Sequence, residues 1–152
     1  MINVCVFGAG AIGGYIGCSL SKAGANVSLI ARGPHKEAIE KNGLTLISNN
    51  KSETFNLKVT ENPCELGTQD YIIIGVKAHA ISGIVNKLKP LLNDNTAILS
   101  AVNGLPWWYF YKSDTGTKLE NTYIDSVDPH GIIWKTLNPK RALGCVVYPA
   151  CE

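Results

Sequence analysis

The chain has no dense run of Lys and Arg, no apolar stretch of membrane-spanning length and no Cys-x-x-Cys pair. Each absence removes a class of function. Fourteen basic residues against twelve acidic ones leave a net charge of +2, too small and too scattered for a nucleic-acid or membrane surface. The longest apolar runs, such as Tyr71–Val76, have the length of a strand, whereas a bilayer helix needs about 20 residues. The five cysteines (Cys5, Cys18, Cys64, Cys145 and Cys151) are odd in number. Neither a disulfide framework nor a zinc site is expected, and Cys5 and Cys145 read as small buried hydrophobes in apolar strands. No basic leader precedes the first apolar run at Ile2, so no secretion signal is expected and the compartment is read as cytoplasmic. Charged residues are only 17% of the 152 and hydrophobic ones 45%, the balance of one ordinary globular domain.

What the chain does have is glycine at meaningful spacing. An apolar strand, Ile2–Phe7, runs into Gly8-Ala9-Gly10-Ala11-Ile12-Gly13. Apolar residues at Ile12, Tyr15, Ile16, Leu20 and Ala23 then mark a helix that Gly24 stops. A strand, a Gly-x-Gly-x-x-Gly turn and a helix together form a dinucleotide-binding pattern. Gly8 permits the sharp turn, Gly10 lets backbone N–H groups approach a pyrophosphate, and Gly13 lets the helix pack closely on the sheet. The positive end of that helix then faces the phosphates.

The next strand, Asn26–Ala31, ends at Arg32, 19 positions after Gly13. NAD-binding versions of the pattern place an Asp or Glu at about this distance to hold the ribose hydroxyls. A guanidinium instead offers a planar fork of donors to a 2′-phosphate. The expected cofactor is therefore NADP(H), with Lys36 able to add charge one helical turn further on. The bland alternative is a solvated loop arginine.

Strands and helices alternate along the rest of the chain. Pro34–Asn42 reads as a helix capped by Gly43, and Leu44–Ile47 and Thr54–Val59 as two short strands around the turn Ser48–Ser52. Asp70–Val76 and Thr96–Val102 are continuous apolar runs, as in central parallel strands. Between them Ile81, Ile84, Val85 and Leu88 form a helical stripe that Pro90 ends. Pro106–Ala142 is irregular, carries the aromatic block Trp107–Tyr111 and is expected to form a short helix and an extended loop; Gly144–Ala150 reads as a last strand, with Cys145–Tyr148 buried. The pattern gives an α/β fold of Rossmann type: a doubly wound parallel sheet with flanking helices.

Ligands of such sheets sit beyond the carboxyl ends of the strands. Lys77, directly after Val76, could reach cofactor phosphates or ribose, or could simply be a solvated helix-start lysine. Asn103-Gly104 follows Val102; its amide suits a carboxamide or a substrate oxygen, although Asn-Gly is also a common tight turn. Asp125, Asp128 and His130 lie close together but read as a turn rather than a metal site. His35 and His79 read as capping or solvent-facing residues. The aromatic block reads as core or as cover for a further domain ahead of a substrate pocket; left exposed, it would favour self-association.

Gly8-Ala-Gly-Ala-Ile-Gly-Gly14, Arg32, Val76-Lys77-Ala78 and Asn103-Gly104, in this order and spacing, resemble the ketopantoate reductase (2-dehydropantoate 2-reductase) family. The resemblance runs from Ile2 to the Gly144–Ala150 segment. It implies that the loop Gly8–Gly13 binds the pyrophosphate, Arg32 the 2′-phosphate, and Lys77 and Ala150 further parts of NADP(H), while Asn103 lies beside nicotinamide and substrate. It implies NADPH-dependent reduction of 2-dehydropantoate to pantoate, on the route to pantothenate and coenzyme A. It also implies a proton-donating lysine in a helical substrate domain that follows the cofactor domain. Lys112, Lys118, Lys135 and Lys140 do not match that lysine, so residues 1–152 are expected to be the NADP-binding domain alone, without catalytic residue or metal. Two alternatives stay open: a related reductase of another 2-oxo acid, and a non-enzymatic nucleotide-sensing module.

Overall fold

The computed structural model describes residues 1–152. Five short strands form the body of a parallel sheet: β1 (Asn3–Phe7), β2 (Asn26–Ile30) and, after the hairpin β3 (Leu44–Ser48) and β4 (Lys51–Phe55), β5 (Lys58–Thr60), β6 (Tyr71–Ile74) and β7 (Ala97–Ser100). A two-residue strand β8 (Ala142–Leu143) completes it. The spatial order is β5-β2-β1-β6-β7-β8, and every pairing within it is parallel. Helices α1 (Ala11–Lys22), α2 (Gly33–Asn42), α3 (Ile81–Leu88) and α4 (Ile132–Leu137) connect the strands.

Alternation along the central strands builds two cores. Val4, Val6 and Ile73 face one way, with Val27 and Leu29, and meet Ile12, Ile16 and Leu20 of α1 and Ile39 of α2. Cys5, Phe7, Ile72 and Ile74 face the other way and meet Ile81, Val85 and Leu88 of α3 and Ile133 and Leu137 of α4. Both faces of β1 and β6 are thus covered, which accounts for their unbroken apolar sequences. Successive turns of the winding leave β1 and β6 toward opposite faces, and a crevice opens between them at their carboxyl ends.

Three expectations need correction. Thr54–Val59 is not one strand: Phe55 closes the hairpin with Leu44, while Lys58 pairs with Ser28 in the main sheet. Asn56-Leu57 carries the chain between two sheets that one straight strand could not serve. The hairpin turn is Asn49-Asn50, at φ 51° and 59°, since a two-residue connection needs left-handed positions that Asn tolerates. The last strand is also shorter than read. Beyond Leu143 the chain stays outside the ladder; Val146 is 68% and Tyr148 89% exposed, and Cys145 is only half-buried. This segment lies at the sheet edge, so one side of its alternating pattern has no neighbour.

The irregular region holds the expected short helix, α4, at a position that short-range patterning did not give. The fully buried Asp128 anchors it by accepting the N–H groups of Ile133 and Trp134, both at 2.8 Å. The aromatic block divides: Trp107 turns inward, whereas Tyr109 is half exposed. Trp107 is 2% exposed and donates its indole N–H to Ser100 Oγ at 3.2 Å.

Candidate functional site

Three glycines converge where β1 ends, α1 begins and β6 ends. A Cβ on Gly13 would stand 2.0 Å from the Gly8 carbonyl oxygen, and one on Gly75 would stand 2.7 Å from the same oxygen. Gly75 was missed in the sequence because only the fold brings it against Gly8. Gly10 differs: a Cβ there would meet nothing within 4 Å. The close packing holds the loop in place and leaves Gly10 facing open space.

Gly10 caps α1, whose first turn has no acidic residue and no side-chain cap. The first N–H groups of a helix have no partner within it, so this end offers donors and a positive field to an anion.

A hollow of about 640 Å³ lies over the loop, lined by Gly8, Gly10, Ala11, Ile12, Lys77 and Asn103 among others. Lys77 is exposed there, and its ammonium stands free of any carboxylate. A second hollow of about 320 Å³ shares Gly8, Ala9 and Gly10 and runs to Arg32, with Ala80 and Ile84 as apolar walls. The Arg32 guanidinium is likewise unpaired. Lys87 adds another cation and Glu61 a carboxylate; Glu61 accepts the N–H of Gly33 at 2.9 Å. Neither residue carries a sequence signal, because α3 and the end of β5 reach the hollow only through the winding of the chain.

Lys36 does not join Arg32. Its ammonium pairs with Glu40 at 2.8 Å and lines a separate depression with Glu61 and Glu65. The hydrogen bond to Glu40 raises its pKa. His35 is more engaged than the sequence implied: its Nε2 lies 2.7 Å from the Ala9 carbonyl oxygen. It ties the first turn of α2 to the glycine loop.

Asn103 is already occupied. Its side-chain amide donates to the Val147 carbonyl and accepts the Val147 N–H, both at 3.0 Å. It acts as a surrogate strand partner that pins the segment after β8. That segment carries Ala150 to a third hollow, beside Ala9, Gly10, Ala11 and His35. Cys18 lines the same hollow; burial, then the nearby Glu53, raises its thiol pKa. In the core on the opposite face of the sheet, burial pushes the Cys5 thiol up to about 12, so it stays protonated and inert. No group of side chains suited to a metal ion occurs, and no helix is long and apolar enough to cross a membrane.

The chain is similar to known proteins in both sequence and fold. The ketopantoate reductase PanE/ApbA family profile matches residues 4–106. A 2-dehydropantoate 2-reductase from Mesorhizobium japonicum is 43% identical over 99% of this chain, which covers 46% of that protein. A 2-dehydropantoate 2-reductase from Pyrococcus horikoshii is 36% identical over 68% of the chain and 34% of its own length. Among solved structures, one from Ralstonia solanacearum, assigned as a ketopantoate reductase, superposes with a TM-score of 0.90 at 36% identity, over 99% of this chain and 46% of its own. The chain thus spans less than half the length of these relatives.

Proposed function

The chain belongs to the ketopantoate reductase family, and from that premise we propose that residues 1–152 are the NADP(H)-binding domain of a 2-oxo-acid reductase. The observation that carries the reading is the open approach at Gly10 beside the uncapped end of α1. A pyrophosphate fits there because nothing fills the space a side chain would take. In this reading Gly8–Gly13 hold the pyrophosphate, and Arg32, with Lys87 behind it, takes the 2′-phosphate. Ala80 and Ile84 cover the adenine. Lys77 lies over the phosphates and ribose, and Ala150 closes the loop from the far side.

When bound, NADPH supplies the hydride that turns the ketone of a 2-oxo acid into the hydroxyl of a 2-hydroxy acid. The substrate named for the relatives is 2-dehydropantoate, reduced to pantoate. The residues of this chain bind and orient; the proton for the new hydroxyl comes from a lysine outside residues 1–152, in a substrate domain. Asn103 shapes the substrate end by fixing Val147, and its remaining amide N–H can still meet a substrate oxygen. We place the protein in the cytoplasm, where NADPH-dependent biosynthesis runs. The test is direct: purified residues 1–152 bind NADPH but do not turn over 2-dehydropantoate. Appreciable turnover would put the proton donor inside this chain and overturn the division of labour.

A further inference from the structure

A cavity of about 270 Å³ lies beside the substrate end of the crevice. It shares the walls Ala78 and Val102 with the hollow over the glycine loop. Trp107, Trp108, Val127 and Ile133 enclose its far side. All four come from beyond residue 106, where the family match ends. The Pyrococcus relative likewise matches over only 104 residues, whereas the Mesorhizobium relative matches over 152. The shared part of the chain therefore supplies the glycine loop and one side of this cavity, and the segment beyond residue 106 closes its other side.

We infer that the cavity is the subsite for the side chain of the oxo acid, and that it selects a bulky apolar side chain of aromatic size. This rests on the reading of the cleft as a 2-oxo-acid reductase site. A carbonyl held near Asn103 has the cavity next to it, because Gly104 and Val146 adjoin Asn103 and Val147 and line it. An apolar cavity of about 150 Å³ already accepts benzene, so a phenyl ring fits with room for its linking carbon. The only side-chain hydroxyl in the wall, Ser100, accepts the Trp107 indole N–H, which leaves its own proton as the single hydroxyl donor in the cavity. The hydroxymethyl group of 2-dehydropantoate would leave water for walls that are mostly apolar, with ten hydrophobic residues among the fourteen. A buried hydroxyl without a good partner loses about ten-fold in affinity, and an aromatic ring also gains contact with two indoles.

The test uses residues 1–152 saturated with NADP⁺ and titrated with phenylpyruvate or 2-dehydropantoate. The three tryptophans are followed by their indole N–H signals in ¹H–¹⁵N spectra. Phenylpyruvate is expected to move the Trp107 and Trp108 signals, to leave Trp134 in place, and to bind at least about ten-fold tighter than 2-dehydropantoate. Gly144→Leu is expected to weaken it by a further ten-fold or more. A Cβ on Gly144 meets Trp108 at 3.6 Å, an ordinary contact, so the longer side chain occupies the cavity without straining the backbone; an unchanged Trp134 signal checks the fold. Equal or tighter binding of 2-dehydropantoate, or stationary Trp107 and Trp108 signals in a chain that takes NADP⁺ normally, overturns the subsite alone. A chain that takes no NADP⁺ overturns the parent reading and the subsite with it.

Discussion

Replacing Gly13 and Gly10 separately by alanine distinguishes packing from ligand approach within one short loop. At Gly13 the added Cβ would lie 2.0 Å from the Gly8 carbonyl oxygen, where real contacts essentially never fall below 3.0 Å. The oxygen must therefore retreat by about 1 Å. It has nowhere to go: Gly8 is held at φ +102°, and Gly75 closes on the same oxygen from β6. Overpacking of this kind costs about 3 kcal/mol, the upper end of its ordinary range. In a chain of this size that lowers Tm by roughly 6–12 °C, and NADPH affinity falls with the displaced loop. Gly10→Ala has the opposite signature. The position has φ −72° and open space around it, so stability stays within about 1 kcal/mol of the parent. Yet the methyl group stands where the pyrophosphate must approach, and NADPH affinity drops at least ten-fold. Thermal unfolding and a calorimetric titration of both variants provide the readouts. A Gly10→Ala protein that binds NADPH like the parent would refute the phosphate cradle; a Gly13→Ala protein with unchanged Tm would refute the packing geometry.

Two further substitutions test the walls of the cleft. His35→Ala removes the bond to the Ala9 carbonyl, worth about 1 kcal/mol; it should weaken NADPH and NADH alike by roughly five-fold, and an effect on NADPH alone would mean that His35 touches the 2′-phosphate instead. Glu61→Gln keeps an acceptor for the Gly33 N–H but removes a negative charge from the Arg32 hollow. NADPH should bind about two-fold tighter, given the weak coupling of exposed charges, with NADH unmoved; weaker NADPH binding would show that the carboxylate itself holds the ribose.

The first half of the fold was legible because its signals are local. The glycine spacing and the 3.6-residue stripe from Ile12 to Leu20 each sit within a few residues of what they specify. The second half was less so. The fate of Gly144–Ala150 depends on whether a neighbour covers the sheet edge, and α4 depends on Asp128, whose helix-anchoring role looks like an ordinary turn in sequence. Within the site, Gly75, Glu61 and Lys87 carry no local signal, and His35 reads only as a capping or solvent-facing residue, for the same reason. Each matters through a residue far away in the chain, as His35 does through Ala9 and Gly75 through Gly8, and only the parallel pairing of β5, β2, β1 and β6 brings such pairs together. Lys36 was misplaced because Glu40, one turn along α2, competes for its ammonium.

The account stands most directly on the choice between the two nicotinamide dinucleotides at Arg32. Parallel calorimetric titrations of the parent chain and Arg32→Ala with NADPH and NADH measure it. One charge-assisted phosphate contact, worth about 1.5–3 kcal/mol, predicts that the parent prefers NADPH by ten- to hundred-fold and that the variant loses this preference while still binding NADH. Equal affinities in the parent, or a preference that survives the loss of the guanidinium, would contradict it.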